Sequence, residues 1–349
     1  METRTAKPVA FRQFGKQFAE GSKISVSEAF EEAGLNYNVT SEPLVRIPEH
    51  VLEAFQNGQI PIWKPNPADV IQTHRATMRE DTNTTLGVVG RDYGIVQNQN
   101  AFGFFDFLAE VSGTQPQIVS AGTLGVGERI FLSARLGENT YLSPNDAVTQ
   151  YVVFTNGHDG KNSLMAFFTP VRVICQNTLN MAIHNCPNKI VFKHSKYVGQ
   201  RVDWEDVERR RQAVEIFAKS VKFSEKFTEN MAALAAQPVT PQYAEDFAAQ
   251  MILTPAQFTL YKQAGRQVER VEEISTRSQN LLLSLKDSIQ NGVGQDYGRG
   301  TKAWLLNGVT TWLHNERTYK TPEDEFRSAM EGDAAKKTQK AYDLLTKAA

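Results

Sequence analysis

The chain has 349 residues, of which 41% are hydrophobic, and its formal net charge is −1. This length can bury one large core or two domains, and the balanced charge excludes a uniformly basic nucleic-acid binder and a disordered acidic chain. Two cysteines cannot build a disulfide framework, and no apolar run reaches the ~18 residues of a membrane span. Because the N-terminus also lacks the apolar core of a secretory signal, we expect a soluble cytoplasmic protein that does not enter a membrane.

Residues 1–84 have a mixed pattern in which one short helix stands out. This helix spans residues 25–33, has Ser25 and Ser27 as candidate caps for free backbone amides, and places Glu28, Glu31 and Glu32 in its first turns. The proline-rich stretch over residues 43–67 predicts an extended, irregular connection. Residues 1–84 are therefore predicted to form a mixed N-terminal region.

From residue 85 to residue 172 the pattern is mainly β. Three hairpins are predicted, joining residues 85–89 to 93–97, residues 118–123 to 129–136, and residues 148–155 to 163–170. A helix with apolar residues at helical spacing starts at residue 97. Residues 85–200 are predicted to form an α+β core domain, built on a central antiparallel β-meander with packed helices.

Helical spacing dominates residues 201–349, which are predicted to form a helical C-terminal region. Apolar residues recur at helical steps over residues 204–221 and again over residues 258–289, on either side of Pro238 and Pro241. These two ladders predict a long helical hairpin. A further helix is predicted over residues 301–316, followed by a polar helical tail. The fold class is therefore α+β, with a mainly helical C-terminal half.

His158 and Asp159 are the best pair for acid–base chemistry, because an adjacent carboxylate can raise the pKa of a histidine toward neutrality. Neighbouring side chains on a turn often point apart, however. Asn-Gly at 156–157 and Asp-Gly at 159–160 are also residues that tight turns use for positive φ. The pattern favours a turn and keeps His158 and Asp159 as catalytic candidates.

A strand-to-helix junction follows, where Arg172 ends an apolar strand and a run of helix-capping residues begins. Free amides at a helix N-terminus bind phosphate, and an arginine beside them reinforces the binding. Between residues 156 and 201 the chain carries six cations against one anion. The candidate nucleic-acid contacts are Arg172, Asn177, Thr178, Lys189, Lys193, Lys196 and Arg201.

The sequence predicts no metal site and no cofactor. Cys175, His184 and Cys186 are potential zinc ligands, but a structural zinc site takes four ligands, typically from two closely spaced pairs, and no second pair lies nearby. The glycine run over residues 122–127 lacks the strand-to-helix context of a dinucleotide site, and there is no Walker motif. ATP-driven chemistry is therefore not expected.

Several short motifs follow one another along the chain. They are Leu86-Gly87-Val88-Val89-Gly90-x-x-Tyr93, Val96-Gln97-Asn98, Ser120-Ala121-Gly122-Thr123, Asn156-Gly157-His158-Asp159-Gly160, Thr169-Pro170-Val171-Arg172-Val173-x-Cys175-x-Asn177-Thr178-Leu179, and a late block from Gly300-Thr301 to Asn307. In this order they resemble the phage/plasmid-like proteins that carry domain of unknown function 932. One departure is Gln176, where many members have a second asparagine. The resemblance implies a cytoplasmic protein of a mobile element and supplies no established activity.

The leading hypothesis is a phage or plasmid DNA-binding protein, such as a single-strand annealing or recombination factor that works without ATP. Its partners would be nucleic acid, with single-stranded DNA favoured, and further copies of the chain in a homo-oligomer. A β-meander followed by a helix is also similar to the core of phage annealing proteins, a likeness at the level of the fold. One alternative is an enzyme that acts on a nucleotide or phosphoester through His158, Asp159 and Arg172. The other is an oligomeric assembly or inhibitor protein.

Overall fold

The computed structural model describes residues 14–19, 21–99, 116–144, 146–172, 189–192 and 207–346, together with residues 103, 105, 110 and 194. The strands are β1 (Lys16–Gln17), β2 (Val39–Val45), β3 (Val70–Arg79), β4 (Thr84–Gly90), β5 (Gln117–Leu124), β6 (Arg129–Ser143), β7 (Asp146–Gly157), β8 (Leu164–Arg172) and β9 (Lys189–Phe192). The helices are α1 (Val26–Glu32), α2 (Glu49–Gln56), α3 (Val207–Ala235), α4 (Pro241–Ile252), α5 (Pro255–Gln263), α6 (Thr276–Asn291), α7 (Lys302–Thr311), α8 (Pro322–Met330) and α9 (Asp333–Thr346). The predicted α+β class is confirmed, with helices mostly in the C-terminal half.

The larger sheet is antiparallel and has the strand order β1-β5-β6-β7-β8-β9. Its central strands form the predicted meander. Strand β5 pairs with β6, with Ile118 opposite Ala134, and β7 pairs with β8, with Val148 opposite Arg172. Two of the three predicted hairpins are therefore confirmed. Both are local pairings, in which alternating apolar strands are joined by a short polar turn.

The smaller sheet has the order β2-β3-β4. It shows that the remaining predicted hairpin, between residues 85–89 and 93–97, is wrong. Strand β4 pairs with β3, with His74 opposite Gly90, and residues 93–97 form no strand. Instead, the side-chain amide of Gln97 accepts a hydrogen bond from the N–H of Val39 at 2.9 Å and donates one to its carbonyl at 2.8 Å. A side chain thus takes the place of a strand beside β2.

The proline-rich stretch over residues 43–67 is more regular than expected. It contains the end of β2 and the whole of α2. Strand β2 accommodates Pro43 because the β2–β3 register shifts between Pro43 and Leu44. The predicted irregular connection is therefore limited to the segment that follows α2.

Helix α1 is capped by Ser25, the first of the two candidates in the sequence. The Ser25 hydroxyl accepts a hydrogen bond from the N–H of Glu28 at 3.2 Å, and the Glu28 carboxylate accepts one from the N–H of Ser25 at 2.9 Å. This reciprocal pair is a capping box, which satisfies two backbone donors at the start of the helix. The helix then buries Ala29 and Phe30 in the main core.

The larger sheet is covered by helices on both faces. Alternate side chains of a strand point to opposite faces, so Val152 and Phe154 of β7 join the main core, which includes Phe223 of α3. Tyr151 and Val153 point to the other face, where a second core contains Phe326 of α8. Helices that lie far apart in the chain thus enclose one sheet.

The predicted helical hairpin has one continuous arm, the 29-residue helix α3. The second arm is not a single helix, because residues 258–289 are divided between α5, a short 3-10 turn and α6. Gly265 (φ +67°) and Arg266 (φ +65°) adopt left-handed backbone conformations that end α5, and Ser275 caps α6. Within the described ranges, no helix is both long and apolar enough to cross a membrane.

The last predicted helices are present with a different division. The helix expected over residues 301–316 is α7 followed by one π-helical turn (Trp312–Glu316). The polar tail consists of two helices, and each has a buried face, formed by Phe326 in α8 and Leu345 in α9. The helix predicted from residue 97 lies mostly outside the described residues, although Asn98 and Gln99 are helical.

Candidate functional site

The connection between β7 and β8 contains the His-Asp-Gly triplet and forms a tight turn. The Asp159 carboxylate accepts hydrogen bonds from the N–H of Lys161 at 2.9 Å and from the side-chain amide of Asn162 at 3.3 Å. Gly160 has a φ of +73°, a conformation that favours glycine. Asp159 and Gly160 therefore build the turn, as the sequence pattern favoured.

His158 lies beneath this turn with a side chain that is 0% exposed. Its Nε2 is 2.8 Å from Oδ1 of Asn98, whose Nδ2 donates to the carbonyl of Leu35 at 3.2 Å. Because the Asn98 oxygen must accept, the hydrogen of the neutral imidazole lies on Nε2 and Nδ1 carries a lone pair. His158 is thus held in one tautomer.

Burial, together with a smaller effect of the nearby imidazole of His194, lowers the pKa of His158 to about 3. This lowered pKa is the opposite of the raised pKa that an adjacent carboxylate such as Asp159 can produce. Asp159 instead directs its carboxylate to the turn. His158 is therefore neutral at physiological pH and is poorly suited to accept or deliver a proton in a reaction.

The main chain of His158 also links distant segments. Its N–H donates to the carbonyl of Glu128 at 2.7 Å, and its carbonyl accepts a hydrogen bond from Oγ1 of Thr77 at 2.6 Å. Thr77 belongs to β3 of the smaller sheet, whereas Glu128 lies in the turn before β6. The triplet is therefore one of the points where the two sheets are joined.

A second layer of side chains surrounds the triplet. The Tyr93 hydroxyl donates to the carbonyl of Gly157 at 2.8 Å, and its ring stacks on His194 with the ring centroids 4.9 Å apart. The Asn156 amide donates to the carbonyl of Val96 at 2.9 Å. Sequence reasoning missed the roles of Tyr93, Asn98 and His194. The first two stand in the quoted motifs, which is the signal that could have identified them.

Three buried acceptor atoms in this region have no hydrogen-bond partner among the described residues. They are Nδ1 of His158, Nε2 of His194 and Oδ1 of Asn156. His194 Nδ1 faces the carbonyl of Gly94 at 3.1 Å and so carries the hydrogen, which leaves a lone pair on Nε2. Burial also lowers the pKa of His194. Within the described part of the chain, no group of three histidine, cysteine or acidic side chains is arranged to hold a metal ion.

A cleft of about 710 Å³ opens above the turn. Its wall includes Gly87 of β4, Asp159 and Lys161 of the turn, Glu128, and Arg327 of α8. A Cβ atom at Gly87 would lie 2.5 Å from Cα of Asp159, so β4 contacts the turn backbone directly. The cleft therefore lies where both sheets and a C-terminal helix meet.

The charges in the cleft largely neutralise one another. Arg327 forms ion pairs with Glu323 at 2.7 Å and with Glu128 at 3.4 Å. The Glu323 carboxylate also accepts a hydrogen bond from the N–H of Gly125 at 3.1 Å. These contacts fasten α8 to the β5–β6 turn. The arrangement is that of a structural junction, with polar groups of both signs at its surface.

The predicted nucleic-acid contacts are only partly within the described residues. Lys189 is exposed on β9, the edge strand of the larger sheet, and pairs with Phe167. The main chain of Arg172 ends β8 opposite Val148, and its side chain lies outside the described part. Asn177, Thr178, Lys193, Lys196 and Arg201 lie outside the described residues.

Strand β9 runs toward the end of the sheet that holds the turn. Phe192 is paired with Leu164, at the start of β8, and His194 stacks on Tyr93 beside the turn. Lys161 is exposed at this same end. Two exposed lysines are thus described here, Lys189 on β9 and Lys161 on the β7–β8 turn in the wall of the cleft.

Comparison with known proteins gives a family and no activity. A family model described as a domain of unknown function (DUF932) matches residues 85–341. No curated protein and no solved structure shows a significant match to the chain. The match includes the His-Asp-Gly turn, both faces of the larger sheet and nearly all of the helical region. The chain therefore belongs to the family defined by domain of unknown function 932.

Proposed function

We propose that this protein binds nucleic acid, with single-stranded DNA as the favoured ligand, along the β8–β9 edge of the larger sheet. The observation that carries the proposal is the local charge, six cations against one anion over residues 156–201. Such a surplus attracts the phosphate backbone without reading its sequence. Lys189 is exposed on β9 itself, and Lys161 is exposed on the neighbouring β7–β8 turn.

The other contacts in the proposal rest on the sequence alone. Arg172, Lys193, Lys196 and Arg201 would add phosphate contacts, and Asn177 and Thr178 would present a helix N-terminus to the backbone. An annealing or recombination role further requires that several copies assemble on one strand. It requires no ATP, in keeping with a sequence that has no Walker motif.

The alternative function, an enzyme that uses His158 and Asp159, is poorly supported by the geometry of these two residues. A general base must reach its substrate and have a pKa near the working pH. His158 is fully buried with a pKa of about 3, and Asp159 is hydrogen-bonded within its own turn. These features therefore count against acid–base catalysis by His158 and Asp159.

Fluorescence anisotropy with labelled oligonucleotides tests the proposal. We expect single-stranded DNA to bind more tightly than duplex DNA. Its affinity should fall steeply with salt: a plot of the logarithm of the association constant against the logarithm of the salt concentration should have a slope of about −0.7 for each phosphate neutralised. The double variant Lys161→Ala/Lys189→Ala should bind several-fold more weakly and reduce the magnitude of that slope by about 1.4, because two phosphate contacts are lost. Absent or salt-insensitive binding would contradict the proposal.

Two comparisons refine this test. Lys336→Ala removes an exposed lysine from helix α9, far along the chain from the proposed edge, and should bind DNA like the wild type. Annealing of complementary strands, measured without ATP, separates an annealing factor from a protein that only binds DNA. If Lys336→Ala weakens binding as much as the edge variant does, the edge is not the binding surface.

A further inference from the structure

A cleft of about 400 Å³ lies in the helical C-terminal half, with walls that include residues of α4, α6 and α7. The cleft, called the α4–α7 cleft, has apolar, polar and charged side chains in its wall. The apolar ones include Val239, Ala244, Ile289 and Trp304. Sites for small molecules are typically clefts of about 300–1,000 Å³ with a largely apolar lining and a few polar groups. The α4–α7 cleft therefore has the size and the lining of such a site.

Direct contacts hold the walls of this cleft together. The N–H of Val239, just before α4, donates to the carbonyl of Gly300, just before α7, at 2.8 Å. The hydroxyl of Ser288 in α6 donates to the carbonyl of Gly308 in α7 at 3.1 Å. A Cβ atom at Gly308 would lie 2.5 Å from Cγ1 of Ile289, so α6 and α7 are in close contact. These contacts fix the shape of the cleft.

Three charged residues line the cleft, and two of them are cations. Lys286 and Arg299 stand against Glu245, so two positive charges and one negative charge give the wall a formal charge of +1. Arg299 is exposed, and its Nη2 donates to the carbonyl of Gln290 at 3.4 Å. A guanidinium has five N–H groups, so this one long contact leaves Arg299 able to bind an anion.

Lys286 also keeps donors for a ligand. Its ammonium has three hydrogens and donates one to the hydroxyl of Tyr261 at 3.0 Å. The Glu245 carboxylate is 4.0 Å from Nζ, which allows attraction between the charges and is too long for a hydrogen bond. Both cations of the cleft are therefore only partly compensated by the side chains around them.

Trp304 adds a neutral donor that lacks an acceptor. The residue lines the cleft and is 6% exposed, and its indole Nε1 is buried without a hydrogen-bond partner among the described residues. An indole N–H can only donate, and a buried donor without an acceptor is costly. An anionic oxygen bound against Trp304 would supply an acceptor.

The charge of the cleft favours a ligand with a single negative charge. A carboxylate neutralises the formal charge of the wall. A phosphate monoester carries about −1.5 to −2 at neutral pH, and so would leave an excess of negative charge beside Glu245. The apolar side chains of the wall suit a hydrocarbon body attached to the carboxylate.

We propose that the α4–α7 cleft binds a small carboxylic acid with a compact apolar body. The carboxylate is bound by Arg299 and Lys286, and the body lies against Ile289 and Trp304. No residue of β8 or β9 lines this cleft, so the site is separate from the proposed nucleic-acid surface.

Isothermal titration calorimetry of the full chain with phenylacetate and octanoate tests this proposal, because these carboxylates have a flat and a flexible apolar body. We expect at least one of them to bind with a dissociation constant below about 1 mM. The neutral amide of that acid has the same body without the charge and should bind at least ~10-fold more weakly. Phenyl phosphate should bind more weakly than phenylacetate.

Two substitutions in the wall should change the affinity for the carboxylate in opposite directions. Arg299→Ala removes a cation and should weaken binding about 10-fold. Glu245→Gln removes the anion and should strengthen binding about 3-fold. Arg277→Ala is the matched control, because Arg277 is exposed on α6 and does not line the cleft, and it should bind like the wild type. Without ligand, all three variants should melt close to the wild type, since the substituted residues are exposed.

Four results would overturn the proposal. The first is that neither carboxylate binds with a dissociation constant below about 1 mM. The second is an amide that binds as tightly as its acid, which would show that the cleft does not recognise the charge. The third is tighter binding of phenyl phosphate than of phenylacetate, which would assign the cleft to phosphate esters. The fourth is an equal effect of Arg299→Ala and Arg277→Ala, which would place the binding outside the cleft.

Discussion

Arg129 at the start of β6 and Glu331, the residue after α8, form an ion pair with 2.9 Å between Nη2 and Oε1. The arginine side chain is 3% exposed, so its charge is almost entirely removed from water. The pair joins the larger sheet to the helix that covers its second face. A buried charge that loses its partner is costly, whereas an exposed pair contributes little.

Replacing Glu331 by Ala should therefore destabilise the protein by about 3 kcal/mol, since it leaves the Arg129 charge buried without a counter-ion. Chemical denaturation, read as the free energy of unfolding, measures the effect. Glu229→Ala is the control, because Glu229 and Lys226 form an exposed pair on α3. Its loss should leave the free energy of unfolding close to that of the wild type, because an exposed pair is screened by solvent. Equal effects of the two substitutions would show that the Arg129 pair is not effectively buried.

Substitution of Gly87 tests the close approach of β4 to the His-Asp-Gly turn. A Cβ atom there would lie 2.5 Å from Cα of Asp159, so Gly87→Ala must displace backbone and should cost about 2–3 kcal/mol. Gly90 lies in the same strand with open space around it, and Gly90→Ala should stay within about 0.5 kcal/mol of the wild type. Thermal melting measures both. If the two variants melt alike, the strand does not contact the turn.

His158 should make the protein sensitive to acid. Its pKa is about 3 in the folded state and about 6.5 in the unfolded state, so below pH 6.5 only the unfolded chain takes up the proton. The contribution of neutral His158 to stability is complete above pH 6.5. It should be lost progressively as the pH falls toward 3, up to about 5 kcal/mol.

Denaturation at several pH values compares His158→Gln with the wild type. Glutamine can still donate a hydrogen bond to Asn98 and does not titrate, so its free energy of unfolding should fall less between pH 6.5 and pH 4. His74→Gln is the control, because His74 is exposed on β3, and it should retain the wild-type pH dependence. A His158→Gln profile parallel to the wild type would exclude His158 as the source.

The capping box of α1 gives a smaller, local effect. Ser25→Ala removes the hydroxyl that accepts the Glu28 N–H and should lower the free energy of unfolding by about 1 kcal/mol. Ser27→Ala changes an exposed serine inside the same helix and should have no destabilising effect, because alanine is the better helix former. Denaturant unfolding distinguishes the two. A cap that contributes nothing would leave both variants at wild-type stability.

Features that depend on neighbouring residues were predictable. The cap at Ser25 and the β5–β6 and β7–β8 hairpins follow from residue types a few positions apart. The pairing of β3 with β4 was missed because residues 93–97 have a strand-like apolar pattern. This local pattern suggested residues 93–97 as the partner of β4. The actual partner, β3, lies earlier in the chain, and its pairing depends on the whole smaller sheet.

The sequence by itself determined the α+β class, the turn at Asp159 and Gly160, and the local surplus of positive charge. Each of these features depends on the side-chain chemistry or the backbone preference of residues that are close together in the sequence. Only the tertiary structure decided that His158 is neutral and inaccessible, because its partner Asn98 lies 60 positions away. The same is true of Arg327, which meets Glu128 across 199 positions. Burial depends on which distant segments pack together, and a histidine on a turn gives no sign of it.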